Sequence, residues 1–191
     1  ALDYYERSLK IYEEFDDKYE MGFSLYGIGL AYHEKGDLDR ALDYYERVFA
    51  IDEEFGDKED MGYNLRNTGK VYYDKGDYEK AEEYLEKSLA LQKEIGEKAI
   101  EFETTTYLYL TYKHLGREYN VAEIHNLNKE QKKIDHYLNF ALFKLLDDPS
   151  YLETAYNQVQ ELADNLEPDV KLKFLELNIP KAIVEEWEKV K

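Results

Sequence analysis

Residues 41–80 read ALDYYERVFAIDEEFGDKEDMGYNLRNTGKVYYDKGDYEK, and this stretch decides the fold. The same pattern precedes it at 1–40, opening ALDYYERSLKIYEEF, and follows it at 81–120, opening AEEYLEKSLALQKEI. The first two copies agree at 21 of 40 positions and the second and third at 9, so the unit persists while its detail drifts. A fixed period of this size marks a solenoid, in which each unit buries its apolar face against its neighbours.

Within the unit, apolar residues recur in steps of three and four. Ala41, Leu42, Tyr45, Val48, Phe49 and Phe55 form one helical stripe, broken only by Asp52. Gly56 suits a helix C-terminus. A second stripe runs through Met61, Leu65, Thr68, Gly69 and Tyr72 to Lys75-Gly76-Asp77, where Gly ends one helix and Asp caps the next. Each unit is thus expected to be two antiparallel helices. First helices are placed at 18–35, 58–75 and about 98–115. Second helices fall at 1–15, 37–55, 77–95 and about 118–133. Beyond 133 the period decays. Leu138–Leu146 and Tyr151–Leu166 read as a shorter pair, and Pro168 and Pro180 introduce two short terminal helices.

The expected fold is all-α: a right-handed solenoid of antiparallel helix pairs with a C-terminal helical cap. Residues 1–133 carry three 40-residue units, starting mid-repeat and with the third degenerate. Residues 134–191 carry the divergent pair and capping helices, continuous with the solenoid. The stripe Ile183, Val184, Trp187 and Val190 is read as a cap on Tyr151–Leu166, or else as a linker or partner-binding helix. The chain lacks an initiator Met and opens in mid-pattern, which reads as a fragment of something longer.

Composition narrows the function. Zero cysteines exclude disulfides and thiolate metal sites. No signal peptide is visible, and no apolar run nears the roughly 18 residues of a membrane helix. These features point to a cytoplasmic protein. A net charge of −18 disfavours nucleic acid, which needs clustered Lys and Arg. It reads first as a solubilising surface, and leaves room for a basic partner. Gly27-Ile28-Gly29 follows no strand and is no dinucleotide loop. His33, His114, His125 and His136 lack metal-ligand spacing, and Asp16-Asp17 and Asp147-Asp148 do not fit a calcium loop. No catalytic, cofactor or metal residue is assigned.

The positions Leu25, Ile28-Gly29, Tyr32, Gly36, Ala41, Tyr45 and Val48 resemble the tetratricopeptide repeat consensus. Leu65, Thr68-Gly69, Tyr72, Gly76, Ala81, Leu85 and Ser88 repeat it in register. The resemblance covers about residues 1–116 well and 117–166 poorly. In the third unit Tyr109 replaces the first-helix Gly, Val121 the small Ala and His125 the aromatic, so packing there must differ. The 40-residue length is similar to the longer-helix repeats of cell-polarity adaptors and kinesin light chains. Gly29 and Gly69 should allow close helix approach, and Tyr32 and Tyr72 should fill the space between units.

The resemblance implies a superhelix whose concave face, lined by first helices, receives peptide ligands. By register that face presents Phe23, Tyr26, Leu30 and His33, then Tyr63, Arg66, Lys70 and Tyr73, then Glu103, Thr106, Leu110 and Lys113, with Asn67 beside Arg66. The candidate partner-binding residues are therefore Tyr26, His33, Tyr63, Arg66, Asn67, Lys70, Tyr73, Thr106 and Lys113. Arg66 and Lys70, four residues apart, share a helix face and could hold a ligand carboxylate. Alternatively, Lys70 pairs with Asp74. The expected function is a non-catalytic interaction module or scaffold binding a peptide or partner segment, within a larger regulatory or assembly protein. The alternative is a ligand-responsive sensory segment controlling an attached effector domain. The N-terminal stripe of Leu2, Tyr5, Leu9 and Tyr12, left without a first-helix partner, is expected to support self-association.

Overall fold

The computed structural model describes residues 2–191; Ala1 and the Ala99 side chain lie outside the described residues. Among those described, every regular element is an α-helix. The elements are α1 (Leu2–Phe15), α2 (Lys18–Glu34), α3 (Leu38–Phe55), α4 (Lys58–Lys75), α5 (Tyr78–Ile95), α6 (Lys98–Leu115), α7 (Val121–Lys129), α8 (His136–Leu146), α9 (Pro149–Asp164), α10 (Pro168–Leu175) and α11 (Asn178–Val190).

The turns follow the sequence. Gly56 and Gly76 sit at φ +68° and +77°, the left-handed conformation that closes a helix and costs glycine least. Asp57 and Asp77 then cap α4 and α5, their carboxylates accepting from backbone N–H groups of the first turn. At the first turn Asp16, with φ +53°, takes the place Gly56 holds one unit later.

Each helix packs against the next through the stripes. Gly29 and Gly69 are the contact points of α2 on α3 and of α4 on α5. A Cβ on Gly29 would lie 2.7 Å from the Tyr45 ring, and one on Gly69 would lie 2.6 Å from Leu85 Cγ. Tyr45, Leu85, Ala41 and Ala81 are fully buried there. Tyr32 stacks on Tyr44 and Tyr72 on Tyr84, so these rings also brace α2 on α3 and α4 on α5.

The third unit breaks the pattern where Tyr109 replaces glycine. Its ring lies between α6 and α7, against Tyr119, and its hydroxyl donates to Glu123. The second helix there shrinks to nine residues, shorter than the expected 118–133. The helix α8 packs directly on α6 instead, and Leu142 and Leu145 join the core of that region. The helix α11 lies on α9, with Ile183 buried and Trp187 stacked on Tyr156 at 5.2 Å.

At the N-terminus the exposed face is not the one expected. Leu2, Tyr5 and Leu9 pack on α2. Tyr4, Ile11 and Phe15 point outward instead, 70%, 51% and 77% exposed. The heptad-spaced stripe faces the neighbour present, and what remains outward is the opposite side of the helix.

Candidate functional site

The first helices α2, α4 and α6 line a concave face around a cavity of about 270 Å³. Adjacent first helices are related by the repeat, so a side chain on one meets its neighbour about 41 residues on. Asn67 Nδ2 donates to the Tyr26 hydroxyl at 2.6 Å, and His33 Nε2 lies 2.7 Å from Asp74 Oδ2. The Tyr73 hydroxyl lies 3.1 Å from His114 Nε2. Groove positions of successive units therefore join one another as a lateral ladder.

Its centre is Glu103 on α6. Lys70 Nζ reaches one carboxylate oxygen at 2.6 Å and Arg66 the other at 3.1 Å. Each cation also lies over a ring, Lys70 over Tyr107 at 4.8 Å and Arg66 over Tyr63 at 5.2 Å. Burial alone would raise the Glu103 carboxyl. The Lys70 and Arg66 charges outweigh it and hold the group at about 2.

This revises three expectations. The carboxylate held by Arg66 and Lys70 is the chain's own Glu103, not a free place for a ligand's. Lys70 does not pair with Asp74, which is held by His33. Thr106 and Tyr73 are buried: Thr106 Oγ1 donates to the Phe102 carbonyl at 2.8 Å, and Tyr73 is enclosed against Tyr78 and Tyr107. Lys113, on α6, reaches the end of α8, where its Nζ donates to the Lys144 carbonyl at 2.8 Å and pairs with Asp147 at 2.7 Å. Such contacts satisfy the free carbonyls of a helix C-terminus. The structure thus brings Tyr26, His33, Arg66, Asn67 and Lys70 to one cavity, with Tyr63 beside Arg66, and leaves Tyr73, Thr106 and Lys113 engaged elsewhere.

Two features of the cavity had no signal in the repeat. The Tyr137 hydroxyl donates to Glu34 at 3.1 Å across 103 residues, so the start of α8 touches the end of α2. Asn178 and Ile179, at the start of α11, line the same cavity. These residues lie beyond the regular repeats, so register could not place them. Among the described residues that line the cavity, the buried Nε of Arg66 is without a hydrogen-bond partner.

The family model for the tetratricopeptide repeat matches residues 1–54 and 25–94. No curated protein sequence matches the chain. Among solved structures, the apo form of RapI is similar over 98% of this chain and 77% of its own, with TM-score 0.68 and 17% identity. A signal transduction ATPase with numerous domains, PH0952 from Pyrococcus horikoshii, which has a tetratricopeptide repeat sensor, is similar over 99% of this chain. It shares 19% identity at TM-score 0.57, and the match spans 29% of that larger protein. A putative kinesin light chain from Podosopora anserina, with nearly identical repeats, is similar over 97% of this chain and 86% of its own, at TM-score 0.54 and 19% identity. At these identities the structures speak to fold, and the family match speaks to the repeats themselves. Sequence register, helix-pair packing and family match agree that residues 1–94 of this chain are tetratricopeptide repeats.

Proposed function

We propose that this chain is a non-catalytic interaction module that takes a peptide or partner segment along its concave face. The observation that carries this reading is the buried, unpartnered Nε–H of Arg66 in the cavity beside Tyr26, Asn67 and Lys70. Buried donors are almost always satisfied, and a backbone carbonyl of an extended segment is the kind of acceptor that would satisfy this one. The ligand need not carry an acidic anchor, since Glu103 already occupies the place between the two cations.

The test is selection of binders from a random peptide library, mapped by amide chemical shifts on the labelled chain. Shifts should fall on α2, α4 and α6. Arg66→Lys keeps a cation for Glu103 but loses Nε, and should bind a selected peptide about tenfold more weakly, the scale of one hydrogen bond to a charged group. Shifts confined to α3 and α5, or unchanged affinity in the lysine variant, would defeat the reading.

A second reading, a ligand-responsive regulatory segment, is favoured by one observation. The Tyr137–Glu34 contact and Ile179 close the concave face from the C-terminal side. A segment entering the cavity would compete with that closure and so shift the position of the terminal helices.

A further inference from the structure

A second cavity, about 220 Å³, lies between the first turns of α2 and α4 and the last turns of α3. Its mouth is aromatic. Tyr19 sets its ring edge to face against Phe23 at 5.0 Å and Phe55 at 5.9 Å, and all three rings are 45–52% exposed. Three carboxylates, Asp52, Asp57 and Asp60, also line it. Asp52 is 6% exposed and its Oδ2 has no hydrogen-bond partner. No lysine or arginine of the described residues pairs with any of the three.

Packing does not require this carboxylate. The register counterparts of Asp52 are Tyr12 and Gln92. Gln92 occupies the same place one unit later as a neutral amide: its Nε2 donates to Ser88 Oγ, which donates to the Gly62 carbonyl, while its Oε1, like Asp52 Oδ2, has no hydrogen-bond partner. The counterpart of Ser88 is Val48, so this local partner is absent beside Asp52. An unpaired buried carboxylate is costly and points to a role other than packing.

We propose that this cavity binds a primary ammonium head on an aliphatic stem, the chemistry of a lysine side chain, with Asp52 as its counter-ion and Tyr19, Phe23 and Phe55 around the stem. Aromatic faces attract a cation and shed water from its methylenes. The C-terminal end of α3, which carries Asp52, adds negative potential. The opposing positive end of α4 is already capped by Asp57. The three carboxylates do not converge as a metal site among the described residues, which favours an organic cation. Burial, then Asp60 and Asp57, raise the Asp52 carboxyl to about 7. The groups around it are Tyr19 and Tyr26 from α2 and Asp57, Asp60, Tyr63 and Asn64 from α4, and the Asn64 amide acts against the burial by favouring the ionised form. An entering ammonium therefore meets a carboxylate ready to ionise, and binding should strengthen as pH rises through neutrality.

This site goes beyond the concave-face reading and can be tested without a known partner. The probes are n-butylammonium, its neutral isostere n-pentanol, and a capped Gly-Lys-Gly peptide with its norleucine counterpart, each titrated while amide shifts are followed. Butylammonium should give saturable shifts at Gly22, Asp52, Gly56 and Tyr63 that pentanol does not match. The lysine peptide should outcompete the norleucine peptide if a partner side chain is the source. If butylammonium binds and the peptide does not, the ammonium is that of a free amine. Asp52→Asn preserves shape and should weaken butylammonium about tenfold or more, the scale of a charge-assisted hydrogen bond, and abolish the pH dependence. Equal binding of amine and alcohol, no saturable shift at tens of millimolar amine, or full affinity in Asp52→Asn would overturn the proposal. The concave-face reading would stand in each case, because it rests on Arg66.

Discussion

Replacing Glu103 with Gln removes the one anion between two buried cations while keeping the side chain's shape. Arg66 and Lys70 are only 10% and 14% exposed, and Glu103 is 25% exposed, so water can compensate little. The carboxyl's fall from 4.5 to about 2 in the folded chain corresponds to about 3 kcal/mol, at about 1.4 kcal/mol per pH unit. An independent scale agrees: breaking a buried ion pair by removing one partner costs about 3–5 kcal/mol. Because the folded value is depressed, this stability is complete above the unfolded value of 4.5 and is lost as pH falls toward 2. Urea unfolding of both proteins at pH 7, 3 and 2 measures it. Glu103→Gln should be less stable by about 3 kcal/mol at pH 7, by about half that at pH 3, and almost equal at pH 2. A difference below about 1 kcal/mol at pH 7, or one that does not change with pH, would refute the assignment of Glu103 as the counter-ion.

Gly69→Ala should cost about 1–3 kcal/mol in thermal or urea unfolding, because its Cβ would lie 2.6 Å from Leu85 Cγ and 3.2 Å from the Leu85 backbone nitrogen. Gly62→Ala, whose nearest neighbour is Gln92 Cγ at 3.6 Å, should instead stabilise by about 0.5–1 kcal/mol through helix propensity. Asp52 is raised from 3.8 to about 7 by burial and by Asp60 and Asp57, so the folded chain holds that proton while the unfolded chain releases it. Stability should fall as pH rises through this window, and Asp52→Asn should gain about 4 kcal/mol at pH 8 and nothing at pH 3. Trp187, stacked on Tyr156, should emit to the blue, and Tyr156→Ala should move the emission to the red in a fluorescence scan. If α1 mediates self-association, Ile11→Lys with Phe15→Lys should suppress it in light scattering at high concentration, whereas Tyr12→Lys should suppress it less.

The repeat made the first six helices legible to within a residue at their ends. Gly, Asp and a 3.6-residue apolar stripe are local signals, and Gly56-Asp57 and Gly76-Asp77 act as they read. It also located Gly29 and Gly69 as close contacts. Register named the concave positions but not their state. Whether Arg66 and Lys70 face a ligand or a neighbour depends on Glu103, 33–37 residues away on another helix. Thr106 and Lys113 share the groove register of the earlier units, yet α8 packs on α6 and closes over their end of the face. Asp52 carried a legible signal, the one polar break in an apolar stripe, but only the structure shows that, among the described residues, no lysine or arginine pairs with it.

The sequence by itself determined the helix-pair solenoid and its family, because period, capping and apolar spacing are properties of neighbours along the chain. The tertiary structure decided which charges are spent internally, which carboxylate is left alone, and that the C-terminal helices return to the concave cavity. Those outcomes depend on side chains brought together across whole units, where a small shift of one helix changes each partner.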